Sequence, residues 1–553
     1  MRTTIYLFLF LIISTSLKAQ PTLGLLLNQP ANIPGYILFA PLASDTTYLI
    51  DKCGKRIHQW SSNYHPGDAV YFLEDGNLLR TCNVNSPTFT SGGKGGRIEL
   101  TDWNSNLLWS YVISSTTECQ HHDIKMLPNG NILAIVWEMK TPSEAIFAGR
   151  DSAKTGTQLW SEKIVELQPS GASSATVVWE WHVWDHLIQD YDSTHINYGI
   201  VYQHPELLNL NFVTGNLMAA DWLHINSIDY NAALDQILLS SHNLSEIWVI
   251  DHSTTSLEAA SHSGGNSNKG GDLLYRWGNP QSYNRGTPGD KKFFGQHNAQ
   301  WIAAGLKDEN KIMVFNNGLQ RPQGMYSSID IIDQPVDSAG NYIYVSGQSF
   351  LPDSVTWEYT APVPTDFYGA NISGVQRISN GNTLICTGPS GVFFEIDSMK
   401  NTVWEYISPV AATILSQGSN PTGNTVFRCT LIEENHNGLT GHQLIAGNPI
   451  ELNPLPYVCP VISGVGTSAS PENEITIINP VSNSINIKSA TDFNNVRIQL
   501  TDLNGKIITD KYPVNLNKGE FYSVPLTNIT DGVYILSINT FGKLHHYKIL
   551  KSE

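Results

Sequence analysis

Cationic side chains are scarce in this chain of 553 residues: 32 Lys and Arg stand against 49 Asp and Glu, a formal net charge of −17. That balance argues against nucleic acid or an anionic membrane surface as a partner. Any site for an anionic ligand must carry its own donors. Cysteine is scarce too. Cys53, Cys82, Cys119, Cys386, Cys429 and Cys459 are scattered without a CxxC pair, so they do not make a zinc site. Most are expected to be small buried residues, with one late bridge such as Cys429 to Cys459. Long apolar runs are lacking. Ile5 to Ile13 is too short to span a bilayer, and no later run is long enough. With Arg2 before it and Ala19-Gln20 after it, this run reads as an export signal over residues 1–19. Long stretches of helical period are also missing.

What is present is β-sheet punctuation. The chain holds 44 Gly, 28 Pro, 14 Trp and 23 Tyr, and its short apolar runs are cut by Asn-Gly, Asp-Gly or Gly-Gly. One half-repeat is strand, Gly-Asn turn, strand, around Gly76, Gly130 and Gly381. Such turns suit a type I′ hairpin. The other half ends in an aromatic strand: Trp60, Trp109/Tyr111, Trp179/Trp181, Tyr275/Trp277, Trp357/Tyr359 and Trp404/Tyr406. Six such endings imply an all-β chain with a six-bladed β-propeller over 20–462. The stretch Ser263–Gly271 reads as an inserted loop. A linker over 463–472 precedes short alternating strands over 473–553, a small C-terminal β-sandwich.

Three histidines head apolar strand-like runs: His122, His224 and His297. His122 and His297 lie eight residues before Gly130 and Gly305, as Asp68 and Ser373 lie before Gly76 and Gly381. The inner strand of a blade lines the central channel, so these positions point to a shared channel mouth. Simple alternation puts Asn226 on the face of His224. Imidazole serves as nucleophile, acid, base or metal ligand near neutral pH.

The tail residues Asn479-Pro480-Val481, Asp502 to Lys506, Asp531-Gly532 with Tyr534 and Leu536, and Lys548 to Lys551 resemble the type A sorting domain of the type IX secretion system. The resemblance implies that type IX machinery carries the protein out of a Bacteroidetes-type cell, to be secreted or held on the surface. Residues 35–450 resemble the arylsulfotransferase family. The matching stretches are Gly35 to Pro41, His121-His122-Asp123, Asp221 to Tyr230, Ser240 to Asp251, Tyr275-Arg276-Trp277, Gly295-Gln296-His297 and Trp404-Glu405-Tyr406.

That resemblance implies PAPS-independent transfer of a sulfuryl group from an aryl sulfate donor to a phenolic acceptor, through a covalent histidine. It implies no cofactor and no metal. His297 matches the family nucleophile, His122 and His224 the supporting histidines, and Asn226 the channel asparagine. The family arginine after the paired serines is His242 here, so His242, if protonated, would supply part of its charge. Arg276, Arg285 and Arg377 are other candidates for that charge. Ser373 is a candidate channel-lining group. Two further readings remain at this point: a non-catalytic binding propeller, and a metal-dependent hydrolase using the histidines with Asp68 or Asp123.

Overall fold

The computed structural model describes residues 21–551 apart from 339, 456–458, 460–474, 478–480, 482, 490, 503–505, 528 and 541–542. The export signal and the linker expected over 463–472 therefore lie outside the described residues. The chain separates into two compact units between positions 462 and 463. Among the described residues no helix is long and apolar enough to cross a membrane.

The first unit is built from antiparallel sheets whose strands run in sequence order. Four of them are complete local repeats, with first strands Pro66–Phe72, Glu118–Met126, Ile225–Asn231 and His297–Trp301. A fifth starts at Gly374–Arg377 and gains Gly24–Asn28 on its outer edge. The sixth joins the two ends of the unit: Val426–Ile432 pairs with Tyr36–Pro41, in register Tyr36 to Ile432 and Phe39 to Cys429. The six first strands neighbour one another in cyclic order, with Val426–Ile432 between Gly374–Arg377 and Pro66–Phe72. All six aromatic endings fall in the fourth strand of a sheet. There Trp60, Trp181 and Trp404 are among the largest fully buried side chains. Their burial between neighbouring sheets supplies much of the apolar area that holds one sheet against the next.

The hairpin turns correct one expectation. Around Gly76 the backbone N–H of Gly76 donates to Leu73 O (3.0 Å) and that of Leu73 to Asn77 O (2.9 Å). Gly130 and Gly381 repeat the pattern. Only the glycines have positive φ, 84° to 86°. This is a type I turn closed by a left-handed glycine, the three-residue hairpin loop, rather than the type I′ turn. Asp75, Asn129 and Asn380 stay right-handed because each carboxylate or amide oxygen accepts the N–H two residues on.

A second correction concerns the disulfide. Cys53 pairs with Cys459 across 406 residues of sequence, while Cys429 is a buried free thiol. The bridge anchors the end of the unit to the turn before Arg56–Ser61. Ser263–Gly271 is an insertion between the third and fourth strands of its sheet, as expected.

The second unit holds two antiparallel sheets. One has strands Ile475–Ile477, Ser484–Ser489 and Phe521–Pro525; the other has Phe493–Thr501, Ile507–Leu516, Gly532–Thr540 and Lys543–Lys551. They share one apolar core that includes Ile485, Ile498, Val524 and Leu536.

One buried ion pair makes the first unit testable. Glu246 grips Arg276 with both oxygens (3.1 and 2.5 Å) and both side chains are fully buried. Glu246→Leu strands the guanidinium without a counter-charge. We expect about 3–5 kcal/mol of destabilisation in urea unfolding.

Candidate active site

The first strands do not run smoothly to the end that carries the histidines. Pairing slips between Pro66 and Val70, between Ile124 and Gln120, between Ile225 and Ser227, and between His297 and Gln300. Each slip is a bulge or irregularity in the ladder, and within or just before each stands a non-glycine residue at positive φ: Asp68 (94°), His122 (50°), His224 (53°) and Asn298 (52°). Such backbone is costly for a side-chain-bearing residue and re-aims the side chain. Here it turns His122 and His224 off the sheet faces and into a common space.

That space is a cavity of ≈370 Å³ lined by His122, His224, His242 and His297, with Gly92–Gly93, Leu319 and Ala370–Ile372 closing it. Ring centroids are 4.5 Å apart for His122–His224, 5.2 Å for His224–His242 and 5.4 Å for His242–His297. The three histidines expected from the sequence are thus together, and His242 joins them.

Their partners set their charges. His224 Nδ1 lies 2.5 Å from Asp221 Oδ2. Burial alone would lower the His224 pKa, but the Asp221 carboxylate outweighs it and the pKa is raised. Burial likewise works against the Asp221 charge, yet His224 pulls that carboxyl down to about 2. The Asp221 carboxylate therefore favours the imidazolium form of His224. The other three rings are neutral near pH 7. Burial and neighbouring imidazoles push His122 and His297 well below the usual value. Burial and then the His224 charge push His242 down to about 4. Burial thus works against the protonated His242 that the sequence left open as a partial substitute for the arginine.

His297 is held as one tautomer. The Asn317 amide donates to the carbonyls of Gly369 (2.7 Å) and Ile372 (3.0 Å). Its oxygen must then face His297 Nδ1, 2.8 Å away. His297 Nδ1 carries the proton and Nε2 keeps a lone pair for the cavity. His122 Nδ1 is 2.8 Å from His121 Nδ1, and His121 stacks on Trp137 at 3.9 Å. The other nitrogen, His122 Nε2, lies 4.0 Å from Asp68 Oδ2. Burial raises the Asp68 carboxyl to about 7, against the pull of Arg428 and His224. Gly93 lets the cavity close, because a Cβ there would meet the His122 ring at 2.0 Å.

Asn226 and Ser373 lie behind the wall. Asn226 is fully buried and its amide donates to Gln296 O (2.7 Å), which steadies the residue before His297. The Ser373 hydroxyl donates to Asn371 O (3.1 Å) and accepts from the Gly388 N–H (3.0 Å), shaping the Ala370–Ile372 segment. The candidate arginines are committed elsewhere: Arg276 to Glu246, Arg377 to Asp308 and Arg285 to Tyr202 O. Asp123 holds Arg428 at 2.8 Å. Among the described residues one set of ligand-type groups could hold a metal, His186, His262 and Asp272, away from this cavity. His186 is buried there against Asp272. Asp221 and Asn317, the partners of His224 and His297, are candidate functional residues that sequence reasoning missed. Asp221 stands three residues before His224, a readable spacing, whereas Asn317 sits in an Asn-Asn-Gly stretch that looks like any turn.

Imidazole NMR tests this charge pattern directly. We expect His224 to titrate above the ordinary histidine value, and His297 to be neutral at pH 7 with its proton on Nδ1. Asp221→Asn should deprotonate His224 at a lower pH. Gly93→Ala should shift the His122 signals and leave those of the distant His252 in place.

Residues 41–431 match the family Arylsulfotransferase (ASST), and residues 479–552 match the secretion system C-terminal sorting domain. No curated protein matches the chain. Among solved structures, a protein of unknown function from Bacteroides caccae is 11% identical, covers 72% of this chain and 100% of its own, and has a TM-score of 0.39. The β-propeller domain of Cps50 (Swd1) from Myceliophteria thermophila is 9% identical, covering 72% and 90%, with a TM-score of 0.34. Virginiamycin B lyase from Staphylococcus aureus is 10% identical, covering 70% and 88%, with a TM-score of 0.32. The sorting domain marks the protein for export from a Bacteroidetes-type cell, into the medium or onto the surface. The chain belongs to the arylsulfotransferase family and ends in a type IX sorting domain.

Proposed function

We propose that the ring of sheets is a six-bladed β-propeller followed by a β-sandwich sorting domain. At the channel mouth of the propeller, His297 carries a sulfuryl group from an aryl sulfate to a phenolic acceptor. The observation that carries this reading is the division of labour in one cavity: a neutral imidazole with a free Nε2, and a second imidazole whose carboxylate partner at 2.5 Å favours its protonated form.

The His297 Nε2 lone pair attacks sulfur and the bond from sulfur to the aryl oxygen breaks. The departing phenolate takes a proton from His224 Nε2, whose partner nitrogen stays on Asp221. The acceptor phenol then gives its proton to the now neutral His224. Its oxygen attacks sulfur, the N–S bond breaks, and both histidines return to their starting states. By analogy with phosphoryl transfer, negative charge collects on the terminal and leaving oxygens. The His224 imidazolium faces that charge. His122 donates to a sulfuryl oxygen when its ring proton sits on Nε2, whereas His242, whose Nδ1 proton goes to Asn243 Oδ1 (2.8 Å), only lines the wall. Asn226 and Ser373 act by holding the strand of His297 and the Ala370–Ile372 wall.

Purified protein with 4-nitrophenyl sulfate should release nitrophenol only when phenol is added, and a chelator should change nothing. Release without acceptor would indicate hydrolysis, and loss on chelation would indicate a metal. No release from folded protein would indicate a binding propeller. His224→Gln should lower kcat by about 10²–10⁴-fold. The plot of kcat/KM against pH should fall on the alkaline side as His224 loses its proton, above the ordinary histidine value. In Asp221→Asn that limb should move to lower pH.

A further inference from the structure

A second cavity, ≈290 Å³, adjoins the first and shares His242 and Leu319 with it. Arg150 and Lys291 both line it, together with Trp222, Asn216 and Asp221. The acid in this wall is already committed, since Asp221 holds His224 at 2.5 Å. Among the described residues, neither Arg150 nor Lys291 lies within ion-pair distance of a carboxylate.

Arg150 is only 2% exposed. Its Nε and Nη1 donate to the carbonyls of Lys154 (3.1 Å) and Leu210 (2.6 Å), and its guanidinium sits 5.4 Å from the Trp222 ring. Nη2 is left over. Burial lowers its pKa only to about 10, so it stays a cation at neutral pH. Asp151 acts on Arg150 from outside ion-pair distance; a buried guanidinium without a paired counter-ion is costly, and this chain has acids in excess, 49 against 32 bases. Two cations facing one cavity with no acid to pair them is the pattern of a site whose anion arrives with the ligand.

We propose that this second cavity binds an anionic substituent, a carboxylate, sulfonate or sulfate, on the aromatic ring of a phenolic substrate whose reacting oxygen lies in the histidine cavity. The proposal rests on the transfer reading for its orientation. His242 stands between the two cavities, and the neutral ring lets an aryl group pass without a competing charge. Trp222 offers an aromatic wall on the far side. The site selects phenols that carry a second negative group over plain phenol.

The test is calorimetric and needs no turnover. Wild-type protein without donor is titrated at low ionic strength with 4-hydroxybenzenesulfonate, phenol and inorganic sulfate. We expect the sulfonate to bind at least about tenfold more tightly than either of the others, a difference of about 1.4 kcal/mol. Lys291→Met, which removes a partly exposed side chain, should abolish the preference and leave phenol binding unchanged. Equal binding of sulfonate and phenol, or a preference that survives Lys291→Met, overturns the site. Inorganic sulfate binding as tightly as the sulfonate overturns its aromatic component. Protein that shows the preference but transfers no sulfuryl group leaves this site standing and removes the transfer reading. Protein that transfers without the preference does the reverse.

Discussion

Four imidazoles within ring contact of one another in a buried space cannot all hold protons. Each charge added there raises the cost of the next, and desolvation penalises every one. Asp221 breaks the tie. Its carboxylate sits 2.5 Å from His224, which favours the charge there, while burial first and the His224 charge second push His242 down to about 4. The charge of the proposed acid therefore follows from the placing of one carboxylate, while Asn317 sets the tautomer of the proposed nucleophile. The same pair links the site to stability. The His224 contribution is full below the unfolded histidine value and fades as pH rises through the raised folded value. The Asp221 contribution is present above the ordinary carboxylate value and is lost as pH falls through about 2.

The backbone stores the geometry this chemistry needs. Left-handed residues at the bulges bring His122 and His224 into the cavity, and the paired first strands hold those strained positions in place. Polar side chains stitch neighbouring first strands together. Ser227 accepts from the Ala299 N–H (3.0 Å), Asn298 from Val375 (2.8 Å) and Asp229 from Trp301 (2.9 Å). The pairing of Val426–Ile432 with Tyr36–Pro41 completes the cycle, so the histidines are fixed by contacts that span the whole unit.

Much of this was legible in the residues. The aromatic endings marked the outer strands, and the glycine turns marked the first hairpins. The histidines at strand starts marked the site. What escaped notice depends on three-dimensional detail. Alternation put Asn226 beside His224, but the bulge between Ile225 and Ser227 breaks the two-residue period there and sends Asn226 to Gln296. Ser373, at φ 87° just before Gly374–Arg377, turns its hydroxyl to Asn371 O and the Gly388 N–H. The Cys53–Cys459 bridge joins residues with no local relation. His242 was visible as a departure from the family arginine, yet its neutrality depends on the buried neighbours around it.

The central claim is that His297 Nε2 bonds to sulfur. Protein treated with 4-nitrophenyl sulfate in the absence of acceptor, quenched and digested, should carry one added sulfuryl group on the peptide containing His297. Added phenol should remove it. A sulfuryl group on another histidine, or full turnover by His297→Asn without any adduct, would contradict the account.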